Sequence, residues 1–384
     1  MSDTTSRGGQ YARARETGTA PSRLRPDLTR RGPGSSEADA PAAQMERPAL
    51  ATMRDVAEAA GVSLKTVSRV VNLEPGVRPE LQRRVEDAVA SLGFRRNVAA
   101  RSLRTGHRIG SIGLIVADLM NPFYSSVAKA VEVVAARHGV VIIIGSSGED
   151  ATRERELVTN LLHRPVDGLI VVPAGSDHRY LEPERRMGAQ IVFLDRGGGR
   201  IDADAVVLDN FRGARLGVDH LIRRGHRRVG FVGDSAGVRT TGERLEGYRE
   251  ALGAAGIAYD AQLVRLGSPA VEMAETATRQ LLDMADPATA IFAANNRQCI
   301  GVLRAIRAAQ RPIAVVGFDD FELADLLPVP VSVIAYEPAE LGRAAAELLF
   351  SRMAGDARPP QRIVIPTRLI QRGSGEIPVP PESR

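Results

Sequence analysis

Between residues 51 and 94 the apolar positions recur every three or four residues in short bursts. Val56, Ala57 and Ala60 make one burst; Val62, Val67, Val70 and Val71 a second; Leu81, Val85, Ala88, Val89 and Leu92 a third. That spacing predicts three short amphipathic helices. The punctuation agrees: Thr52 and Asp55 form a capping-box-like pair ahead of the first helix, and Gly61 ends it. Ser63 can cap the second helix, and Pro79 fits the first turn of the third, which stops at Gly93. Asn97 can open a fourth short segment, NVAARSLRTG.

From residue 109 the texture changes. The runs IGSIGLIVAD, VVIIIGSS, DGLIVVP, IVFLD, AVVLD, RRVGFVGD, TAIFAAN and IAVVGFDD alternate with longer helical segments. Continuous Val/Ile/Leu strands between helices mean a parallel sheet covered on both faces. That many strands exceed one compact sheet, so two α/β subdomains are expected. Residues 1–50, by contrast, are rich in Gly, Pro, Ser, Thr and Arg without apolar periodicity, and read as a disordered extension.

Composition narrows the class. A chain of 384 residues suits two or three units with their own cores. It has no run of eighteen apolar residues and no apolar core near its N-terminus, so neither a membrane span nor a secretory signal is expected. The single cysteine, Cys299, excludes an internal disulfide framework and fits the cytoplasm. Charge is uneven: residues 51–108 carry 11 basic and 6 acidic groups, residues 1–50 carry 8 and 6, and the remainder 32 and 34. The whole basic excess therefore lies before residue 109, which points to an anionic partner there.

The second helix concentrates that chemistry. Its polar face holds Ser63, Lys65, Thr66, Ser68, Arg69 and Asn72 and no acid, with Leu64 exposed beside them. Two short helices joined at a glycine form a helix-turn-helix, whose second helix sets its N-terminal residues on base edges in the major groove. Lys65 and Arg69 share one face and suit guanine acceptors, while Leu64 suits a thymine methyl. A small helical bundle with a solvated basic face is the plainer alternative.

A resemblance bears on that choice. TMRDVAEAAGVSLKTVSRVVN and LGFRRNVAARSLRTG resemble the DNA-binding headpiece of the lactose-repressor (LacI/GalR) family of bacterial transcription regulators. The similarity continues in order through NPFYSS, DGLIVVP, FLDR, LGVDHLIRRGHRRVGFVG, ERLEGYREAL, FAANN, AVVGFDD and IPTRLIQRGS. It implies a small all-α helix-turn-helix headpiece at 51–96, a hinge helix and linker at 97–108, and an α/β core of two parallel-sheet subdomains at 109–374 that is periplasmic-binding-protein-like. The N-subdomain would take about 109–208 and 335–365, the C-subdomain about 209–334, and residues 375–384 a Pro-rich tail. DNA contacts are implied for Thr52, Ser63, Leu64, Lys65, Thr66, Ser68, Arg69 and Asn72, and at the hinge for Asn97, Ala100, Arg101 and Leu103. Leu103 would wedge into a central minor-groove step, most easily a pyrimidine–purine one.

Open parallel sheets bind ligands beyond the carboxyl ends of their strands. Asp195, Asn295 and Asp319 stand at such ends, and Arg244 opens the helix holding RLEGY. The resemblance implies that these four contact ligand hydroxyls, with Phe123 of NPFYSS lining the same cleft. Carboxylates accept from hydroxyls, arginine donates a planar fork and an asparagine amide does both. The segment LVRLGSPAVEM offers no aromatic stacking partner, so a nucleoside, an amino acid or a phosphorylated effector stays open beside a sugar. No heptad-bearing helix follows the last motif, which favours a homodimer over a tetramer.

The chain carries no GxxxxGK[ST], HExxH or GxSxG and no Cys/His metal spacing, so neither a cofactor nor catalysis is expected. His220 and His226 flank the helix end LIRRGH, where a cation suits the helix dipole. A transport binding protein and a sugar-modifying enzyme are the rival classes. The helix-turn-helix and the missing signal count against the first, and the missing motifs against the second. The sequence reads as a DNA-binding repressor acting at the nucleoid and modulated by a small-molecule effector.

Overall fold

The computed structural model describes residues 51–72, 74–94, 110–163 and 166–380 and divides the chain into two units, 1–95 and 96–384. The N-terminal extension, the hinge residues Asn97, Ala100, Arg101 and Leu103, and the last four residues lie outside the described residues.

The described residues of the first unit form three helices: α1 (Met53–Ala60), α2 (Leu64–Val71) and α3 (Pro79–Ser91). Val56, Ala60, Val67, Val70, Val85 and Ala88 form its core. The capping box at Thr52 is complete: Asp55 takes the Thr52 amide at 2.6 Å, and Thr52 Oγ1 accepts the Asp55 amide at 3.4 Å. Ser63 caps α2 by accepting the Thr66 amide at 3.1 Å. Gly61, between α1 and α2, has φ 59. Arg84 Nη2 from α3 donates to Ala60 O at 2.6 Å, and a Cβ on Gly61 would lie 2.6 Å from that nitrogen. The turn therefore needs glycine for its backbone angle, and a larger residue would also displace the Arg84 guanidinium from its bond to Ala60 O.

The second unit holds two six-stranded sheets. The first contains β1 (Ser111–Val116), β2 (Val141–Ser146), β3 (Gly168–Val171), β4 (Gln190–Asp195), β5 (Asp204–Leu208) and β11 (Arg362–Ile365), in the order β11-β5-β4-β3-β1-β2. The second contains β6 (Val229–Asp234), β7 (Val264–Gly267), β8 (Ala290–Ala293), β9 (Ala314–Phe318), β10 (Ser332–Ala335) and β12 (Arg368–Ile370), in the order β12-β10-β9-β8-β6-β7. The two orders correspond strand for strand, except that β11 runs parallel to β5 while β12 runs antiparallel to β10. The chain changes sheet after β5, after β10 and between β11 and β12. All eight apolar runs are strands, and their side chains are almost wholly buried except along the edge strand β2.

Helices cover the sheets: α4 (Pro122–Arg137), α5 (Ala151–Leu162), α6 (Glu182–Arg186) and α11 (Pro338–Met353) belong to the first, and α7 (Asn210–Arg223), α8 (Arg239–Ala254), α9 (Val271–Leu282) and α10 (Asn296–Ala309) to the second. Gly247 lets α8 close on α7, since a Cβ there would meet Phe211 O at 2.2 Å.

The start of the Pro-rich tail is tied to the second sheet. Ser374 Oγ donates to Val315 O at 2.6 Å, and Glu376 Oε2 accepts from Ser332 Oγ at 3.0 Å and from the Gly373 amide at 2.7 Å. His220 Nε2 lies 2.6 Å from Glu376 Oε1. His226 is fully buried: Nε2 faces Ile377 O at 2.9 Å and Nδ1 faces Thr289 Oγ1 at 3.0 Å. A carbonyl only accepts, so Nε2 carries the proton and Nδ1 accepts from the threonine. Burial lowers the His226 pKa despite the bond to Ile377, so this imidazole is a neutral clamp and not a helix-end cation.

Candidate functional site

In the first unit α2 buries Val67 and Val70 and turns its N-terminal end outward. Lys65 is exposed, and Leu64 keeps 44% of its surface in solvent. The hydroxyls of Thr52, Ser63 and Thr66 serve the helix caps, and Asn72 Nδ2 donates to Ser68 Oγ at 3.2 Å. Arg69 does not extend beside Lys65. Its guanidinium folds back onto Pro75 O, 3.8 Å from Glu74 at its Nε, and so braces the loop after α2.

The second unit has a cavity of about 190 Å³ at the carboxyl ends of both sheets. Both sheets share the order 2-1-3-4-5 in their parallel strands, and the crevice of such a sheet opens where the order reverses. Asp118 follows β1 and Asp234 ends β6, the two strands at which that reversal occurs, and both line the cavity. The five residues expected at a ligand, Phe123, Asp195, Arg244, Asn295 and Asp319, also line it.

Their immediate partners differ. Asp319 Oδ1 accepts the Tyr336 hydroxyl at 2.8 Å and lies 3.7 Å from Arg244 Nη2, while Oδ2 accepts the Asn296 amide at 3.4 Å. Arg244 sits in the second turn of α8 and does not open it. Its Nε donates to Asn210 Oδ1 at 2.9 Å, its Nη1 donates to Ala294 O, and its Cζ lies 3.7 Å above the Phe318 ring. Asn295 caps α10 through the Gln298 amide, and its Nδ2 donates to Asp234 Oδ2 at 2.7 Å. Burial pushes Asp234 up, against the opposing hydrogen bond from Gln298 Nε2 at 2.6 Å.

Asp195 is the exception. Its carboxylate accepts no hydrogen bond among the described residues and has only Arg196 Nε, 3.4 Å away. Burial pushes its pKa up to about 6, with Arg196 and Arg244 opposing and the Asp319 charge adding. A carboxylate that faces a cavity and takes no hydrogen bond from the protein is suited to a hydroxyl donor.

Two contacts bridge the cleft. Asn121, at the start of α4, and Asn296, at the start of α10, pair through their amides at 2.9 and 3.4 Å. Beside them Arg297 Nη1 lies 3.7 Å from Asp118 Oδ2. Phe123 packs edge-on against Tyr124 and Tyr336, with ring centroids 4.7 and 6.0 Å away.

Glu149, Arg196, Asp234 and Tyr336 line the cavity without having been singled out from the sequence. Arg196 and Asp234 had an available signal, since each stands at or beside the carboxyl end of a strand. Glu149 follows β2 by three residues, and its partner Arg196 is 47 residues away, so nothing local marks it.

Comparison with known proteins gives two family matches: residues 52–97 match the bacterial regulatory proteins of the lacI family, and residues 218–375 match a periplasmic binding protein-like domain. The HTH-type transcriptional regulator CelR of Thermobifida fusca is 33% identical over 342 residues, covering 86% of this chain and all of the relative. A solved CelR–cellobiose complex superposes with TM-score 0.64 at 30% identity, over 84% of this chain and 99% of that one. The lac repressor dimer bound to operator and the anti-inducer ONPF superposes with TM-score 0.73 at 27% identity, over 85% of this chain and 99% of that one.

Proposed function

The chain belongs to the lacI family of bacterial regulatory proteins, and on that premise we propose that it grips a pseudo-palindromic operator as a homodimer and changes that grip when a small polyhydroxylated effector fills the cleft. The observation that carries the effector reading is the cavity lined by Asp195 and Asp319, one from each sheet, with the Asp195 carboxylate left without a hydrogen-bond donor. Cellobiose in the CelR complex supports a sugar or a related metabolite as ligand.

On the DNA side, Ser63, Leu64, Lys65 and Thr66 meet base edges, and Thr52, Ser68 and Asn72 meet the backbone. Arg69 holds the following loop and reaches DNA by releasing it. Asn97, Ala100, Arg101 and Leu103 serve the minor groove between half-sites, and Leu103 wedges a base step. Regulation, not catalysis, is the activity, and its place is the bacterial cytoplasm at the nucleoid. Among the described residues no helix is long and apolar enough to cross a membrane.

The test is operator anisotropy. A labelled duplex retained by the purified protein is titrated with and without a panel of neutral sugars. A family coupling of ~1–3 kcal/mol shifts operator affinity roughly 5- to 150-fold for the right sugar. Uniform affinity across sugars, nucleosides and amino acids would remove the cleft from regulation.

A further inference from the structure

Three arginines border the cavity, and each has a carboxylate within 4 Å, although only one pair is hydrogen-bonded. Arg244 Nη2 lies 3.7 Å from Asp319, and Arg297 Nη1 lies 3.7 Å from Asp118. Arg196 is held more tightly: Nη1 and Nη2 donate to the two oxygens of Glu149, both at 2.6 Å, and Nη1 also donates to Pro173 O at 2.9 Å. This is the planar fork-to-carboxylate geometry by which arginine otherwise captures phosphates and carboxylic acids. Here the fork is filled from within the protein.

Glu149 is itself held in an uncommon conformation. Its φ is 61, in the left-handed region, which non-glycine residues occupy when their surroundings over-determine them. The two bonds to buried Arg196 supply that hold. The cavity wall as a whole carries five carboxylates, Asp118, Glu149, Asp195, Asp234 and Asp319, against three arginines. An entering anion meets that surplus of negative charge, and the fork held bidentate, at Arg196, is already filled.

We propose that Glu149 is a specificity-determining residue: by occupying Arg196 it keeps that guanidinium fork from the ligand and confines the cleft to uncharged polyhydroxylated molecules, disfavouring their phosphate and carboxylate derivatives. This rests on the cleft being the effector site and narrows the class of effector that it takes.

The test uses the full chain and inorganic phosphate as probe, at constant ionic strength, with calorimetry and thermal melting. The wild-type protein shows no saturable phosphate binding. Glu149→Gln leaves Arg196 buried without its counter-charge. Its melting temperature falls without phosphate and recovers with it, and it binds phosphate at least tenfold more tightly than the wild type. The gain vanishes in the double variant Glu149→Gln/Arg196→Gln. If Glu149→Gln does not fold, Glu149→Asn, which is neutral and tolerates the left-handed backbone at this position, takes its place in the same comparison. Saturable phosphate binding by the wild type, a folded variant with no gain, or a gain that persists in the double variant would each overturn the proposal. A wrong effector reading shows up separately, as neutral-sugar binding undisturbed by Arg244→Ala.

Discussion

Asp195 ends β4 and Asp319 directly follows β9, the corresponding strand of the other sheet, and both hold left-handed backbones, with φ 64 and 70. Aspartate tolerates that region better than most residues, so each strand can turn sharply and still present a carboxylate to the cleft. The two environments then separate them. Asp319 has a tyrosine hydroxyl, a backbone amide and a guanidinium around it, whereas Asp195 has one guanidinium nitrogen at 3.4 Å.

That separation makes a pH prediction. The folded pKa of Asp195 is raised from 3.8 to about 6, so the folded state binds the proton more tightly than the unfolded one. Its contribution to stability is best below about pH 4, declines as pH rises to about 6 and is flat above, a span of about 3 kcal/mol. Asp195→Asn should melt higher than wild type at pH 7.5, with the difference closing by pH 4. Parallel melting curves across that range would show that Asp195 is not the strained group.

Arg244→Ala removes the guanidinium from beneath Asp319 and leaves a buried carboxylate without its cation, at a cost of about 3–5 kcal/mol. The variant should melt lower, keep operator binding at 25 °C and lose the response to effector. The check is operator anisotropy with and without saturating sugar. A normal response would take Arg244 out of the ligand's reach.

Lys65 and Arg69 should behave differently despite their shared helix face. Lys65→Ala should cost about 1–3 kcal/mol on the operator, little on random DNA, and leave the melting temperature unchanged. Arg69→Ala should destabilise the first unit, because its side chain holds Pro75 and Glu74. Hydrogen exchange of α2 amides reads the second effect, and equal protection in wild type and variant would count against it.

Asn296→Ala removes both amide bonds to Asn121 across the cleft. At about 1 kcal/mol for each hydrogen bond, the closed form loses up to about 2 kcal/mol. Effector affinity should fall about tenfold, and small-angle scattering of the unliganded variant should show a larger radius of gyration. An unchanged radius would mean that the pair does not hold the cleft shut.

Much of this was legible in the chain. The eight long apolar runs are strands because both faces of each sheet are covered, which writes burial into consecutive residues. The capping signals at Thr52 and Ser63 are local and were equally readable. Four strands, VRLG, SVIA, RIVI and RLI, were not singled out. At three or four residues they are too short for a periodicity to stand out, and three of them form sheet edges. The corresponding strand orders left no sequence repeat, since topology constrains hydrophobicity and not identity. At the cleft, polar residues at strand ends could be found because the strand end fixes their position. Their partners could not: Glu149 meets Arg196 and Tyr336 meets Asp319 only through the folded chain. The loop that holds the Arg69 guanidinium was hidden for the same reason, since helical spacing places its Cβ and not its partners.

The most direct single test is a selection of the purified full chain on randomised duplex DNA, run with and without a mixture of neutral sugars. The expected result is enrichment of one pseudo-palindrome with a central pyrimidine–purine step, changed in yield by the sugars. No enriched sequence under either condition, or an asymmetric site indifferent to every sugar, would contradict dimeric operator binding coupled to the cleft.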